Sequence, residues 1–384
     1  MSIGDDHLHI PTPGELYSSR VGSAITTIIE ALARENRQNG GQSSILVVEG
    51  REHEDQGSTL IEFPRPPRDW LTRREKALDI ARSRSGGHRK HAEALYHHAL
   101  QSVPGDYDGY IFLHNAPQAV RVVRETLPKA KPVLYAHNEL FRTWGPGECR
   151  RLMSDVHRVI FVSEWLRKQF HRARDIAPTR TATVINGVDV TAFQPGPFRQ
   201  DAKTVLFVGK VTPEKGAHLL VRAAMQLWEQ GNDFQLRIVG SQGLSSDWPL
   251  SKFERGLRRL VDGRSDVEFS GFLDRQALPA AYAAADVFCV PSAWEEPCSL
   301  TLPEGLASGL PTISSTRGGL PEVGRDSVVY FTPPHVGDLA QQLKTLLADT
   351  SLRAQLARRA RARGEQLAWQ TRFREVAAVI DGDS

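Results

Sequence analysis

The sequence predicts a doubly wound α/β fold in two domains, and three observations support that prediction. The chain has 384 residues, which is too long for one ordinary hydrophobic core. Its apolar runs are short and nearly continuous in Val, Ile, Leu and Phe, as is typical of parallel strands covered on both faces. Segments with apolar residues at helical spacing alternate with these runs, which indicates βαβ units.

The predicted elements form two similar series separated by a Pro- and Gly-rich segment. Apolar residues at helical spacing predict a helix over 24–32 in the first series and over 219–228 in the second. The segment 195–203 begins Pro-Gly-Pro and is typical of a linker, and the tail from Pro334 onward is predicted to be helical. The predicted strands are Leu8–Ile10, Ser44–Val48, Tyr110–Leu113, Val133–Ala136, Val159–Val162, Val205–Val208, Gln235–Val239, Val287–Val290, Pro311–Ser314 and Val328–Phe331.

Composition and charge exclude several classes of protein. Lys and Arg number 48 against 45 Asp and Glu, and this net charge of +3 is too small to predict nucleic acid as the main partner. The three cysteines contain no Cys-x-x-Cys pair, so neither a disulfide scaffold nor a cysteine zinc site is expected. No apolar run reaches the ~18 residues of a membrane span, and no signal-peptide pattern opens the chain. A cytoplasmic location is therefore expected.

Two lysines follow a buried strand in the second series. The strand Val205–Val208 ends at Gly209, Lys210 and Lys215 lie in the turn, and a helix is predicted from about Ala217. Ligands of open parallel sheets bind at the carboxyl ends of the strands, where two ammonium groups would suit a diphosphate. Solvated loop lysines are the alternative, and the glycines at both ends of the turn weigh against it.

Two glutamates, Glu296 and Glu304, follow the strand Val287–Val290. Pro297 and Ser299 predict a helix start, which places Glu304 on the second turn and points the first backbone amides at an anion. Glu304 could then accept both hydroxyls of a ribose, and Glu296 could hold sugar hydroxyls. The spacing alone does not favour this interpretation over the alternative, in which the two glutamates are solvated surface charges.

Two positions in the first series also lie beside strand ends. His137 follows the strand Val133–Ala136, where a neutral imidazole could hydrogen-bond a ligand hydroxyl. Gly22 and Ser23 precede the first helix, and Ser23 suits its N-cap. Each has a structural alternative: a histidine satisfied by backbone, and an ordinary capped helix.

Taken together, the motifs resemble one family. They are Val-Gly-Lys-x4-Lys-Gly at 208–216, Glu-Pro-x5-Pro-Glu-Gly-x2-Ser-Gly-Leu-Pro at 296–311 and Gly-Gly-Leu-Pro-Glu at 318–322. In this order they look like the retaining glycosyltransferases of family 4, which have the GT-B fold of two Rossmann-like domains facing across a cleft. The resemblance is specific from Val205 to Phe331 and weak from Arg51 to Gly109.

The resemblance implies a role for each matching position. Lys210 and Lys215 would bind the donor diphosphate, Glu304 the ribose and Glu296 the transferred sugar, while His137 would lie near the sugar's 6-position. It also implies an acceptor-side domain at 1–194, a linker at 195–203, a donor domain at 204–366 and a C-terminal helix at 367–384 packing back on the first domain. The implied donor-binding positions are Gly22, Ser23, Gly209, Lys210, Lys215, Gly271, Glu296, Ser299, Leu300, Thr301 and Glu304.

The implied activity is retaining, metal-independent transfer of a hexose of glucose or N-acetylglucosamine type. The donor would be a nucleotide diphosphate sugar, UDP-linked by family frequency, and the acceptor a hydroxyl of a sugar, a small molecule or a lipid-linked glycan. The departing phosphate can take the acceptor proton, so no dedicated protein base is required, and the resemblance implies neither a metal nor a cofactor. Two departures bear on the identity of the sugar: Cys298-Ser299 stands where the family usually has Phe-Gly, and Gly22-Ser23 where it usually has Gly-Gly.

Other functions remain open. One is another GT-B enzyme, either a nucleotide-sugar epimerase or an inverting transferase, and a second is a non-catalytic nucleotide-sugar-binding protein. A dinucleotide oxidoreductase is excluded because no Gly-x-Gly-x-x-Gly follows a first strand. A P-loop NTPase is excluded because Gly209-Lys210 is followed by Val211.

The segment 65–90 is strongly basic. A membrane-surface helix that reaches a lipid acceptor at the inner face of the membrane is one interpretation, and a solvated helix or a loop over the acceptor site is favoured. His88 and His91 show no clear carboxylate partner at ligand spacing, so no zinc site is expected here.

Overall fold

The computed structural model describes residues 6–12, 17–18, 23–50, 53, 57–65, 72–174, 179–243, 245 and 248–382. These residues form two compact units. The first takes the described residues up to Ile185, together with the C-terminal segment from Arg372, and the second runs from Asn186 to Thr371. The second unit thus begins before the segment 195–203.

The first unit is built on a parallel sheet. Its strands are β1 (His7–Ile10), β2 (Ser43–Val48), β3 (Thr59–Phe63), β4 (Tyr110–His114), β5 (Lys131–Ala136), β6 (Arg158–Phe161) and β7 (Thr181–Thr183). Within the described residues the order is β3-β2-β1-β4-β5-β6-β7, so the strand order reverses between β1 and β4. Every residue of these two strands is buried, as expected for a sheet covered on both faces.

Helices of the first unit connect these strands. They are α1 (Ala24–Gln38), α2 (Arg73–Arg84), α3 (Lys90–Leu100), α4 (Ala119–Thr126), α5 (Pro146–Asp155) and α6 (Glu164–Arg174). The first helix begins where the sequence predicts, because Ser23 Oγ accepts a hydrogen bond from Thr26 N at 3.4 Å and caps the helix. Its apolar stripe, including Ile28, Ile29 and Leu32, is buried.

The second unit repeats the arrangement. Its strands are β8 (Thr204–Val208), β9 (Gln235–Val239), β10 (Val267–Gly271), β11 (Val287–Val290), β12 (Thr312–Ser315) and β13 (Val329–Phe331). The order β10-β9-β8-β11-β12-β13 reverses between β8 and β11. In a doubly wound sheet the ligand crevice opens at such a reversal, beyond the carboxyl ends of the strands.

The helices of the second unit include the predicted helical tail. They are α7 (Ala217–Glu229), α8 (Lys252–Leu260), α9 (Leu278–Ala283), α10 (Thr301–Ala307), α11 (Leu320–Gly324), α12 (Val336–Ala348), α13 (Thr350–Gln366) and α14 (Trp369–Asp381), with single 3₁₀ turns at Arg275–Ala277 and Arg325–Ser327. The last of them passes into the first unit, where Tyr110 Oη donates to Asp381 at 3.1 Å and Arg158 Nε to Val379 O at 2.9 Å.

The predicted doubly wound fold class is confirmed, and the strands that the sequence did not predict lie at the edges of the sheets. Three strands, β3, β7 and β10, are absent from the set predicted by apolar runs, and each is an edge strand. Their residues are largely half-exposed, so they lack the continuous apolar runs that mark the central strands. Among the described residues, no helix has the length and apolar character needed to cross a membrane.

Candidate active site

The loops after β8 and β11 interlock beside the strand reversal of the second sheet. Ala293 N donates to Glu214 O at 2.8 Å, which ties the two loops together. Gly216 has φ of 76°, and a Cβ at this position would lie 1.8 Å from Pro291 O. Only glycine fits this left-handed, close approach, so the glycine that ends the Lys210–Lys215 turn brings that turn against the Glu296 loop.

Lys215 and Glu296 form an ion pair across these loops. Lys215 Nζ donates to Glu296 Oε2 at 2.6 Å, and the same oxygen accepts from Trp294 Nε1 at 2.9 Å and from Ser292 Oγ at 3.3 Å. The carboxylate is 6% exposed and the lysine 28%. Two residues predicted from separate motifs therefore meet, and three donors on one oxygen fix the carboxylate in one orientation.

The Gly-Gly turn before α11 supports the backbone of Glu296. Gly319 N donates to Glu296 O at 2.8 Å, and a Cβ at Gly318, where φ is 61°, would lie 2.1 Å from that oxygen. Arg317 Nη1 and Gly318 N each bond the neighbouring Glu295 carboxylate, at 2.9 and 2.7 Å. This turn, which is a weak signal in the sequence, holds the loop that carries Glu296.

Gly209, Lys210 and Gly271 lie at neighbouring strand ends. A Cβ at Gly240, just after β9, would lie 2.0 Å from Gly209 O, and Gly240 N donates to Gly271 O at 2.7 Å. The ends of β8, β9 and β10 are thus packed backbone to backbone. Lys210 is exposed and comes directly after this contact.

The helix that carries Glu304 begins later than the sequence predicts. It starts at Thr301, so Glu304 lies in its first turn and not in its second. The reason is the side chain of Ser299, whose Oγ accepts from Thr301 N at 3.2 Å and from Leu302 N at 3.4 Å. The expectation that the amides of Ser299, Leu300 and Thr301 all point at an anion is therefore wrong for Thr301, because its N–H already has a partner.

Glu304 is buried and bonded through both of its oxygens. Tyr282 Oη donates to Oε2 at 3.0 Å, and Arg275 Nη1 lies 3.0 Å from Oε1. Burial raises the pKa of the Glu304 carboxyl, and Arg275 opposes that rise. A ribose diol would therefore share this carboxylate with Arg275 or displace it. Arg275 and Tyr282 carry no motif that could have singled them out.

His137 lies just beyond β5 in the first unit, and its partner is another histidine. Its Nε2 is 2.9 Å from His114 Nδ1, and His114 Nε2 is 3.1 Å from His9 Nδ1. The alternative of a histidine satisfied only by backbone is therefore wrong. Burial lowers the pKa of His137 to about 3 and the pKa of His9 and His114 well below the usual value, so all three rings are neutral at pH 7.

Other sequence expectations have different outcomes. Gly22 lies outside the described residues. His91 does have a carboxylate partner, contrary to expectation, because Asp79 Oδ1 lies 2.8 Å from its Nδ1. Asp79 also accepts from the backbone N–H of His91 and of Ala92 and so joins α2 to the start of α3. Within the described part of the chain, no group of three or more His, Cys, Asp or Glu side chains is arranged to hold a metal ion.

Comparison with known proteins shows which family the second unit resembles. Residues 190–363 match the family model of glycosyl transferases group 1. Spore coat protein SA of Bacillus subtilis is 28% identical over 278 residues, which cover 67% of this chain and 74% of that protein.

Two solved structures share the fold over nearly their whole length. Sucrose-phosphate synthase from Thermosynechococcus elongatus superposes with a TM-score of 0.74 at 19% identity, over 99% of this chain and 98% of that one. HepE from Anabaena, in complex with UDP and glucose, gives 0.70 at 18% identity, over 98% and 99%. The second unit therefore matches the glycosyl transferases group 1 family over residues 190–363, and the chain has the GT-B fold.

Proposed function

We propose that this glycosyltransferase moves a hexose of glucose or N-acetylglucosamine type from a UDP-linked donor to a hydroxyl acceptor, with retention and without a metal ion. The observation that carries the proposal is the Lys215–Glu296 ion pair at the reversal of the second sheet. It sets a cation suited to a diphosphate beside a carboxylate suited to sugar hydroxyls. The complex of HepE with UDP and glucose supports this choice of donor.

Lys215 and Lys210 would stabilise the leaving group. The Lys215 ammonium has three donor hydrogens and uses one on Glu296, so it can also reach a phosphate oxygen of the donor. The bond between the sugar's anomeric carbon and the phosphate oxygen breaks, and the acceptor oxygen bonds to that carbon on the same face. The acceptor proton passes to the departing phosphate. The negative charge that develops on the diphosphate is what the two lysines stabilise.

Glu296 and Glu304 would hold the rest of the donor. Because Trp294 and Ser292 already fix Glu296 Oε2, sugar hydroxyls would bind a carboxylate that is oriented before the donor arrives. Glu304 would accept the ribose hydroxyls, and the backbone at Gly271 would contact the base. Neutral His137 would hydrogen-bond a hydroxyl of the transferred sugar.

The test is a transfer assay with the full chain. UDP-glucose, UDP-N-acetylglucosamine and their GDP and ADP counterparts are incubated with a panel of hydroxyl acceptors in the presence of EDTA, and the product's anomeric configuration is read by NMR. We expect a retained α-linkage from a UDP sugar. Lys215→Ala should lower turnover by ~10²–10³, whereas the control Lys203→Ala, an exposed lysine paired with Asp233, should leave it unchanged.

The same assay separates the alternatives. A product with inverted anomeric configuration would indicate an inverting transferase. UDP release that requires no acceptor would indicate an epimerase. Donor binding without turnover would indicate a non-catalytic protein. Near-normal transfer by Lys215→Ala would contradict the proposed role of the ion pair.

We also propose a peripheral membrane contact through the segment 65–90. In its described part, α2 turns Asp79 and Ser83 inward and leaves Leu78 43% exposed among basic residues. The chain should sediment with phosphatidylglycerol vesicles and not with phosphatidylcholine vesicles, and Leu78→Ser should weaken this binding. Leu260→Ser, an equally exposed leucine on α8, is the control. Equal sedimentation with both vesicle types would contradict the proposal.

A further inference from the structure

Three histidines form a continuous hydrogen-bonded row across the first sheet. The row runs from His9 on β1 through His114 at the end of β4 to His137 just beyond β5, with nitrogen separations of 3.1 and 2.9 Å. The rings are nearly parallel, with interplanar angles of 26° and 10°, and meet edge to edge with their centroids 5.4 and 5.2 Å apart. His9 and His114 are fully buried and His137 is 8% exposed. The row crosses the reversal between β1 and β4, where a ligand crevice is expected.

The two hydrogen bonds couple the tautomers of all three rings. A neutral imidazole has one N–H and one acceptor nitrogen, and His114 uses both nitrogens within the row. If His114 donates from Nδ1 to His137, it must accept at Nε2 from His9. Its reversed tautomer reverses both bonds. The three protons therefore lie all on Nδ1 or all on Nε2.

The surroundings of the two ends select one of these states. His9 Nε2 and His137 Nδ1 are both buried without a partner among the described residues, and one of them must carry an N–H. Buried orphan N–H groups are rarer than orphan acceptors. His9 is fully buried, and burial, followed by the neighbouring His7 and Arg37, lowers its pKa. The N–H is therefore better placed at the His137 end, which is 8% exposed and where burial is the one cause of the lowered pKa.

We propose that His9 and His114 are positioning residues that hold the proton of His137 on Nδ1, so that His137 is an obligatory hydrogen-bond donor to an oxygen of the transferred sugar. The assignment of the ligand oxygen rests on the proposed function, whereas the proton order does not. A buried N–H without a partner is unfavourable, and an incoming hydroxyl oxygen would satisfy it.

The proton order can be read directly by NMR. The full chain is labelled with ¹⁵N-histidine, and long-range ¹H–¹⁵N spectra at pH 7 report which ring nitrogen of each histidine carries the proton. Signals are assigned by their loss in single His→Phe variants. We expect His9, His114 and His137 all to be protonated on Nδ1.

Two substitutions of the central ring give a matched pair. His114→Phe keeps an aromatic ring and removes both nitrogens, so His137 should lose its fixed Nδ1 proton. His114→Asn places an amide N–H where Nδ1 stood and should preserve it. His9→Phe, which breaks only the inner bond, gives a second route if His114→Phe does not fold. Protonation of His137 on Nε2 in the wild type, or an unchanged His137 tautomer in both Phe variants, would overturn the proposal.

Kinetics then test the consequence for the ligand. His114→Phe should lower kcat/KM for the donor by ~10- to 100-fold, the usual effect of removing a partner that orients a functional histidine. KM for the acceptor should not change, and His114→Asn should stay close to wild type. His97→Phe, an exposed histidine on α3, is the control. If the wild type shows the expected proton order but transfers no sugar, the proposed function fails and the proton order stands.

Discussion

Substitution of Lys215 and of Glu296 should measure the free energy of interaction between their side chains. Lys215→Met keeps an unbranched side chain as far as Cε and removes the ammonium that lies 2.6 Å from Glu296 Oε2. Glu296→Gln keeps the volume of the other partner and removes its charge. The double variant removes both charges, so the three variants close a cycle that isolates the interaction.

The expected magnitudes follow from exposure and from the remaining donors. Removing one partner of a fully buried pair destabilises by about 3–5 kcal/mol. Here Lys215 is 28% exposed, and Trp294 and Ser292 still donate to Glu296. We therefore expect Lys215→Met to lower the free energy of unfolding by about 1–2 kcal/mol. Glu296→Gln should lower it by less, because Lys215 can turn to solvent.

The double variant decides whether the pair interacts. It buries no unpaired charge, so its stability should match that of Glu296→Gln, and the coupling energy should then equal the Lys215→Met effect of about 1–2 kcal/mol. Urea unfolding followed by circular dichroism measures stability, and UDP release measures turnover. If the stability changes of the two single variants simply add in the double variant, the reasoning is refuted, because additive changes mean that the two side chains do not interact.

Further predictions concern the close backbone approach, the Glu304 carboxylate and acid stability. Gly216→Ala should destabilise the second unit by well over the ~1 kcal/mol expected of the control Gly231→Ala. Both glycines have positive φ, but of the two Gly216 alone lies against Pro291 O. Equal shifts of the melting temperature in the two variants would contradict this. Arg275→Gln removes the charge that opposes the raised pKa of Glu304, so the acid limb of UDP binding, followed by calorimetry, should move to higher pH; an unmoved limb would place the ribose elsewhere. The pKa of four buried histidines of the first unit is lowered, so the unfolded chain binds protons that the folded chain does not, and stability should fall as pH drops below about 6.5, by up to ~1.4 kcal/mol per pH unit for each histidine. Urea midpoints that do not change between pH 7 and 5 would contradict it.

The central strands could be predicted from sequence because burial on both faces leaves a continuous apolar run. The edge strands β3, β7 and β10 could not, since one side of an edge strand meets solvent and its composition resembles a loop. The sequence singles out Lys215 and Glu296 separately, and the strand order of the structure explains why they meet. Both follow strands that flank the reversal of the sheet, and the carboxyl ends of parallel strands lie at one edge.

The side chains that contact the site from other parts of the chain could not be predicted from the sequence. Arg275 and Tyr282 reach Glu304 from a 3₁₀ turn and a short helix that carry no motif. The later start of α10 depends on one hydroxyl, that of Ser299, and sequence spacing does not reveal which way that hydroxyl turns.

The row of histidines differs from these side chains, because it follows from the register in which the strands pair. His9 pairs with Phe112, and His114 pairs with Tyr135. Residues two apart in a strand share a face, so His9, His114 and His137 must fall on one side of the sheet. The pattern was present in the sequence, but it needed the order of the strands before it could be recognised.

The central claim is that the Lys215–Glu296 site transfers a sugar from a nucleotide donor with retention. The most direct measurement is the anomeric configuration of the product that the full chain forms from a UDP-linked hexose in the presence of EDTA, compared with the product of Lys215→Ala. The account predicts an α-linked product and a loss of ~10²–10³ in turnover in the variant. A β-linked product, or turnover that survives the loss of Lys215, would contradict it.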